Sequence, residues 1–209
     1  HPADLDPLLD LCRRYPLTLV EDAAEALGAK YKGRRIGCHG LVGCLSVNGN
    51  KIITAGGGGM VLTNDGALAR RARHLATQAR EEGVEYVHKT VGYNYRLTNI
   101  QAALGVAQLE QLGRFIEAKR RTARAYTEAL GRIGGAEPLG EALWAFSTFW
   151  MYSVLLDPDQ YGDALEMIRS ANGEGIQLRP LWFPLHRQPV FEGSQAYRIE
   201  VVDRLYARG

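Results

Sequence analysis

The 209-residue chain is long enough for one large or two small domains with a substantial buried core. With 25 Lys and Arg against 23 Asp and Glu, its net charge of +2 points neither to a nucleic-acid binder nor to an acidic tail. Cys12, Cys38 and Cys44 lack C-x-x-C spacing and read as reduced packing thiols, and no apolar run approaches the about 20 residues that span a bilayer. A soluble, cytoplasmic protein is expected, with no nucleic-acid or membrane partner.

In chain order, Leu5, Leu8, Leu9 and Leu11 recur at helical spacing over residues 4–14, with Pro2 ahead and Pro16 behind as stop signals. The apolar run Leu17, Thr18, Leu19, Val20 reads as a strand ending at Val20 and delivering Glu21 and Asp22. A short Ala-rich segment over 22–27 is followed by a hairpin over 28–37 with a glycine turn. Residues 41–47 read as a buried strand and 60–63 as another. Asp65 is placed to cap a helix over 67–78, whose Arg70, Arg71 and Arg73 form a solvated face.

A polar, irregular stretch over 80–95 precedes two helices, 99–112 opened by Thr98 and 115–130. Gly134 and Gly135 mark a hinge. Beyond it come a strand over 148–156, a helix over 161–171, and a further strand from Gly175 to Pro180. Strands alternating with helices indicate an α/β sheet, with a small α+β domain after it. Starting at His1 and Pro2 and stopping at 205–209, in what reads as the approach to another strand, the chain is expected to be an interior piece of a longer polypeptide.

The chemistry is concentrated around Lys51. It sits between Ser46, Val47, Asn48, Gly49, Asn50 on one side and Gly56, Gly57, Gly58, Gly59 on the other, so that backbone can come close to a ligand. An amine that must attack a carbonyl has to be partly desolvated and held in one orientation, which such a frame provides. Asp22, at the end of a buried strand, can pair with a cationic ring nitrogen. The two together suggest pyridoxal phosphate, which needs a lysine for its aldehyde and an acid to keep its pyridine nitrogen protonated. The residues 56–59 could instead cradle a nucleotide phosphate in a non-catalytic module, but they lack both the Gly-Lys-Ser/Thr ending of a P-loop and the G-x-G-x-x-G order. Zinc is disfavoured because five histidines and three cysteines show no paired ligand spacing.

The residues 20–28 (Val-Glu-Asp-Ala-Ala-Glu-Ala-Leu-Gly), the segments 46–51 and 56–59, and the run 91–103 (Val-Gly-Tyr-Asn-Tyr-Arg-Leu-Thr-Asn-Ile-Gln-Ala-Ala) occur in one order over nearly the whole chain. In this the sequence resembles the DegT/DnrJ/EryC1/StrS family of nucleotide-sugar aminotransferases. The resemblance implies part of the large domain of a pyridoxal-phosphate-dependent transferase of the aspartate aminotransferase type (fold type I), with a smaller α+β C-terminal domain. It places the cofactor-binding domain at 1–115, an inter-domain helix at 116–134, and an incomplete small domain at 135–209. The activity implied is transfer of an amino group, usually from glutamate, to a keto-sugar on a nucleoside diphosphate. The Asn-Gly-Asn-Lys form at 48–51 and the segment 179–186 resemble the branch acting on UDP- or GDP-linked 4-keto-6-deoxy sugars, as in the making of cell-surface polysaccharide or glycan. A dehydratase on the same scaffold is the alternative, but the form in this family carries histidine where Lys51 stands.

Carried over residue by residue, Lys51 matches the catalytic Schiff-base lysine that also moves a proton. Asp22 matches the partner of the pyridine nitrogen, and Ser46 a hydroxyl donor to the cofactor phosphate. Glu25 stands where many relatives have Gln or His near the ring hydroxyl, and a carboxylate beside a phenolate is disfavoured unless one holds a proton. Asn94 resembles the residue that reaches the cofactor phosphate of a neighbouring subunit, implying a homodimer with shared active sites. His88 and His186 are candidate substrate contacts. The family's phosphate-binding helix start and ring-stacking aromatic lie upstream of the matched region, so the isolated chain is expected to bind cofactor poorly and to be inactive.

Overall fold

In the computed structural model, which describes residues 1–209, helix α1 (Leu5–Arg14) buries Leu5 and stops at Tyr15, whose extended backbone leads into Pro16. Strand β1 (Val20–Asp22) follows, then β2 (Lys30–Tyr31), β3 (Arg34–Arg35), β4 (Val42–Ser46) and β5 (Gly59–Leu62). The strand read from the apolar run 17–20 is therefore displaced: it starts at Val20 rather than ending there. Its ladder exists only where β4 lies alongside, pairing Val20, Glu21 and Asp22 with Val42, Gly43 and Cys44, while Leu17 and Val20 stay more than half exposed. The hairpin falls as expected. Lys32 and Gly33 form its two-residue loop with φ of 46° and 83°, the left-handed pair that matches strand twist.

β1 and β4 are parallel and β4 and β5 antiparallel, giving the order β1-β4-β5. Gly43 is required on β4, because a Cβ there would lie 2.2 Å from the Gly37 carbonyl oxygen. Helix α2 (Gly66–Ala76) is capped as the sequence indicates, with Asp65 Oδ1 accepting from the amides of Ala67 at 2.8 Å and Leu68 at 3.0 Å. Helix α3 (Asn99–Leu109) opens on a capping box in which Thr98 and Gln101 satisfy each other's backbone. Helix α4 (Leu112–Leu130) begins three residues before the sequence-based start. Strand β6 (Ala136–Pro138) follows, and β7 (Ala145–Phe146) pairs with β2 in the order β3-β2-β7.

The chain forms two compact units, His1–Arg121 with Glu141–Trp150, and Thr122–Gly140 with Met151–Gly209. The first has its core at Val47, Ile53 and Ala55, all 1–2% exposed, with Leu27, Leu112 and Phe115 packed against them. Two of those residues, Val47 and Ile53, bracket Lys51.

The second unit holds β6 antiparallel to β8 (Val154–Leu156), then α5 (Pro158–Tyr161), α6 (Ala164–Gly173), two short 3-10 turns at Leu185–Arg187 and Pro189–Phe191, and α7 (Glu200–Tyr206). Here the sequence reading needs correcting. The strand expected over 148–156 shrinks to three residues, because Phe149 at φ 48° breaks the extended run. The helix over 161–171 is two helices, parted by Gly162 at φ 68°. No strand forms at 175–180. There the Asn172 side chain takes the place of a ladder, accepting from the Leu178 amide at 2.7 Å and donating to its carbonyl at 3.3 Å. The C-terminal run is helical, and only beyond α7 does Arg208 accept from the Leu156 amide at 2.7 Å. Gly134 and Gly135, read as a hinge, lie within this unit, their carbonyls taken by Tyr161 Oη and the Asp157 amide.

Candidate functional site around Lys51

Parallel strands β1 and β4 end side by side, and in open α/β sheets the crevice beyond such ends is where ligands sit. The pleat sends neighbouring side chains to opposite faces. Glu21 goes inward, 6% exposed, and its carboxylate accepts from the amides of Gly37 at 2.8 Å, His39 at 2.5 Å and Gly40 at 2.6 Å. Asp22 goes outward at the strand end, its Oδ1 accepting from the Ala24 amide at 3.1 Å. The sequence delivers the two acids together; the structure separates them into a brace for the 37–40 turn and an exposed carboxylate at the end of β1.

From β4 the chain passes Ser46, whose hydroxyl accepts from the Asn48 amide at 3.2 Å, into a tight loop. The Asn48 side chain donates to the Asn50 side chain at 2.9 Å, and the Lys51 amide to the Asn48 carbonyl at 3.0 Å. With Val47 and Ile53 sunk in the core, these bonds leave Lys51 little freedom. Its Nζ lies 3.0 Å from Glu25 Oε1 and 4.5 Å from the centre of the Trp150 ring. The lysine side chain is only 13% exposed, the glutamate 50%. A half-exposed ion pair contributes at most about 1 kcal/mol, so its effect is to aim the amine rather than to stabilise the fold. Downstream, Gly58 at φ 89° gives its carbonyl to the Val47 amide at 3.0 Å, and a Cβ there would meet Leu97 at 2.3 Å. Part of the glycine run thus serves close packing.

The other sequence candidates stand in different surroundings. Asn94 is exposed and forms an isolated bridge with Thr77, between Tyr93 and Tyr95, whose rings stack at 5.1 Å. His88 Nδ1 lies 2.8 Å from the Gln78 carbonyl, on the rim of a shallow open depression shared with Lys89 and Gly92. His186, in the second unit, has Nε2 at 3.1 and 3.3 Å from the two carboxylate oxygens of Asp203. Two contributors escaped the sequence reading. Glu21 was detectable from its alternation with Asp22 along the strand, whereas Trp150, 100 residues after Asn50, has no local signal at all.

The sequence profile of the DegT/DnrJ/EryC1/StrS aminotransferase family matches residues 1–209. The chain belongs to this family. It is 42% identical over 99% of its length to a Bacillus subtilis (strain 168) protein provisionally named pyridoxal phosphate-dependent aminotransferase EpsN, covering 54% of that protein. It is 41% identical over 90% of its length to the GDP-perosamine synthase of Caulobacter vibrioides (strain ATCC 19089 / CIP 103742 / CB 15), covering 51% of it. The aminotransferase TlmJ from Streptoalloteichus hindustanus superimposes with a TM-score of 0.91 at 27% identity, over all of this chain and 56% of that one. This DegT/DnrJ/EryC1/StrS chain spans about half the length of the curated relatives it matches. Its fold is accordingly the expected one, part of a fold type I large domain of pyridoxal-phosphate enzymes followed by a smaller α+β unit. No helix is long and apolar enough to cross a membrane.

Proposed function

We propose that the full-length protein is a pyridoxal-phosphate-dependent aminotransferase that moves an amino group from glutamate to a nucleotide-linked keto-sugar, a UDP- or GDP-4-keto-6-deoxy sugar, for cell-surface polysaccharide or glycan synthesis. The observation that carries this is Lys51 itself, an amine 13% exposed, aimed by Glu25 at 3.0 Å, on a loop fixed at the carboxyl ends of two parallel strands. The GDP-perosamine synthase and EpsN relatives support the reading.

The residues present fit the cofactor. A carboxylate, Asp22, stands exposed at the end of β1; a hydroxyl, Ser46, stands five residues before the amine; and an acid, Glu25, touches it. When bound, pyridoxal phosphate supplies an aldehyde for the amine and a ring that accepts the electron pair released at the substrate carbon. Asp22 would hold the pyridine nitrogen protonated, and Ser46 would donate to the phosphate dianion. Lys51 would bind the aldehyde carbon and, once freed, take and return the proton at the substrate carbon. Glu25 would hold the amine in line and sit near the ring hydroxyl.

A homodimer with shared sites completes the reading. Helix α3 is apolar yet buries no residue, leaving Ile100 77%, Leu104 51% and Val106 58% exposed, and Asn94 lies on the same exposed stretch. Asn94 would reach the neighbouring subunit's phosphate. His88 and His186 are assigned to the substrate side, with His186 oriented by Asp203. Three free thiols suit a cytoplasmic enzyme.

Borohydride reduction of the cofactor-loaded full-length protein, followed by peptide mapping, tests this. The label is expected on Lys51 and is lost in Lys51→Ala, and glutamate added before reduction abolishes it. Label on another lysine, or none, overturns the proposal.

A further inference from the structure

The amine of Lys51 has a second neighbour, and nothing in the family reading accounts for it. Trp150 Nε1 donates to the Asn50 carbonyl at 2.6 Å, and the face of the same indole lies 4.5 Å from Lys51 Nζ, well inside the range in which a ring face attracts an ammonium. The contact thus has two parts, one on the peptide immediately before the lysine and one on its charged end.

The approach of Trp150 is built rather than incidental. It ends the segment Glu141–Trp150, which leaves the strand pair β2-β7 and is clamped to α4 by Arg120. The guanidinium grips Glu141 in bidentate fashion, at 2.7 and 3.0 Å, and donates to the Ser147 carbonyl at 2.6 Å. The Ser147 amide closes the ring by donating to Glu141 Oε1. Ser147 and Thr148 are then 3% and 1% exposed, so the strap is seated immediately before its tip. At that tip Phe149 adopts φ 48°, a left-handed conformation that a bulky side chain avoids unless its surroundings impose it. This reversal turns the chain so that Trp150 meets the lysine loop, and Lys119 Nζ, 3.4 Å from the Trp150 carbonyl, lies on the same residue's backbone. A strained residue that follows two buried ones and leads into an aromatic ring on a mostly buried amine is a device for placing that ring.

We propose that Trp150 is a positioning residue for Lys51. Its N–H pins the peptide of Asn50, and its ring walls one side of the amine, so that the lysine is both oriented and shielded from water before any cofactor arrives. The proposal rests on Lys51 being the reactive amine, but it concerns the free protein and can be read without the cofactor.

The test is labelling of lysines in the cofactor-free full-length protein by a small amine-reactive reagent, with the ratio of Lys51 to the exposed Lys89 in the same digest as the readout. Trp150→Leu, which keeps apolar bulk but loses ring and N–H, is expected to raise that ratio about three- to tenfold. Trp150→Phe restores the ring face and is expected to bring it back to within about twofold of the wild type. A purely structural tryptophan would lower the melting temperature of both variants without moving the ratio. Equal ratios in all three proteins overturn the proposal. Should Trp150→Leu not fold, proton NMR of the wild type decides, with Lys51→Arg for assignment. The ε-methylene protons of Lys51 are expected upfield of those of Lys89 through the indole ring current, and coincident shifts overturn the proposal. Failure of borohydride trapping at Lys51 would sink the aminotransferase reading while leaving the labelling ratio to report on Trp150, so the two failures are distinguishable.

Discussion

The lysine loop and the stretch 78–95 are both irregular backbone carrying proposed ligand-binding residues, yet they are held in opposite ways. The loop is anchored in the core by Val47, Ile53 and Ala55 and tied by Thr54, whose amide donates to the Gln108 side chain at 3.3 Å. The 78–95 stretch turns through left-handed Gln78 and Ala79, then leaves Val84 97%, Tyr86 78%, Val91 77% and Tyr95 77% exposed. The first is held by contacts within the chain. The second presents apolar surface of the kind that marks an interaction site, and the role proposed for Asn94 needs a second subunit to meet it.

The sharpest way to break the account of the first region is to remove its brace. Glu21→Ala strips three backbone amides of their acceptor in a nearly closed setting, and is expected to cost about 3–5 kcal/mol in urea unfolding of the full-length protein. Asp22→Ala, one residue on, should change stability by less than about 0.5 kcal/mol while abolishing cofactor retention. If the two acids behaved alike, the division between an inward brace and an outward ligand would be wrong.

The strap that carries Trp150 comes next. Arg120→Ala leaves a partly buried Glu141 without its bidentate partner, at an expected loss of about 2–3 kcal/mol after allowing for the solvent that still reaches both groups. Burial works to raise the Glu141 pKa, but the hydrogen bonds from Arg120 and the Ser147 amide and the charge of Arg120 outweigh it and hold the pKa below the ordinary 4.5. A folded-state pKa below the unfolded one means stability that is fully present above pH 4.5 and is lost as pH falls through the lower, folded value. The difference between wild type and Glu141→Gln should therefore be constant near neutrality and shrink only in acid. A difference that shrinks as pH rises from neutrality would contradict the clamp.

A smaller effect tests what local sequence alone can specify. Asp65→Ala removes the cap of α2 and should cost about 1 kcal/mol, as for caps generally. That cap was legible because its partners lie two and three residues away. The same holds for the 28–37 hairpin and the Thr98 helix start, and the order of motifs from Glu21 to Ala103 carried the family. What was not legible depends on distant partners. β1 starts where β4 lies beside it, not where the apolar run starts, and the three-residue β6 and two-residue β7 have no periodicity to read. Residues 175–180 look like a strand but find Asn172 instead of a ladder. At the proposed site, Lys51 and Asp22 stand out by their sequence frames and Glu25 and Ser46 only through the family resemblance; the contact that walls the lysine required a chain reversal at Phe149 that no propensity would favour.

The smallest expected change in stability is also the one that most sharpens the contrast between the two regions. Ile100 is 77% exposed, so Ile100→Asp removes almost no burial within the chain and should shift unfolding of the dissociated subunit by less than about 0.5 kcal/mol. In the proposed dimer the same carboxylate would be buried without a partner, a cost of several kcal/mol that falls on association alone. Sedimentation of the full-length protein should then show monomer where the wild type is dimeric, with Lys51 still labelled by amine reagents at the wild-type ratio to Lys89. The anchored loop would be intact and the exposed stretch disabled. A variant that remains dimeric would mean that α3 faces water in the assembly, and the shared-site role of Asn94 would fall with it.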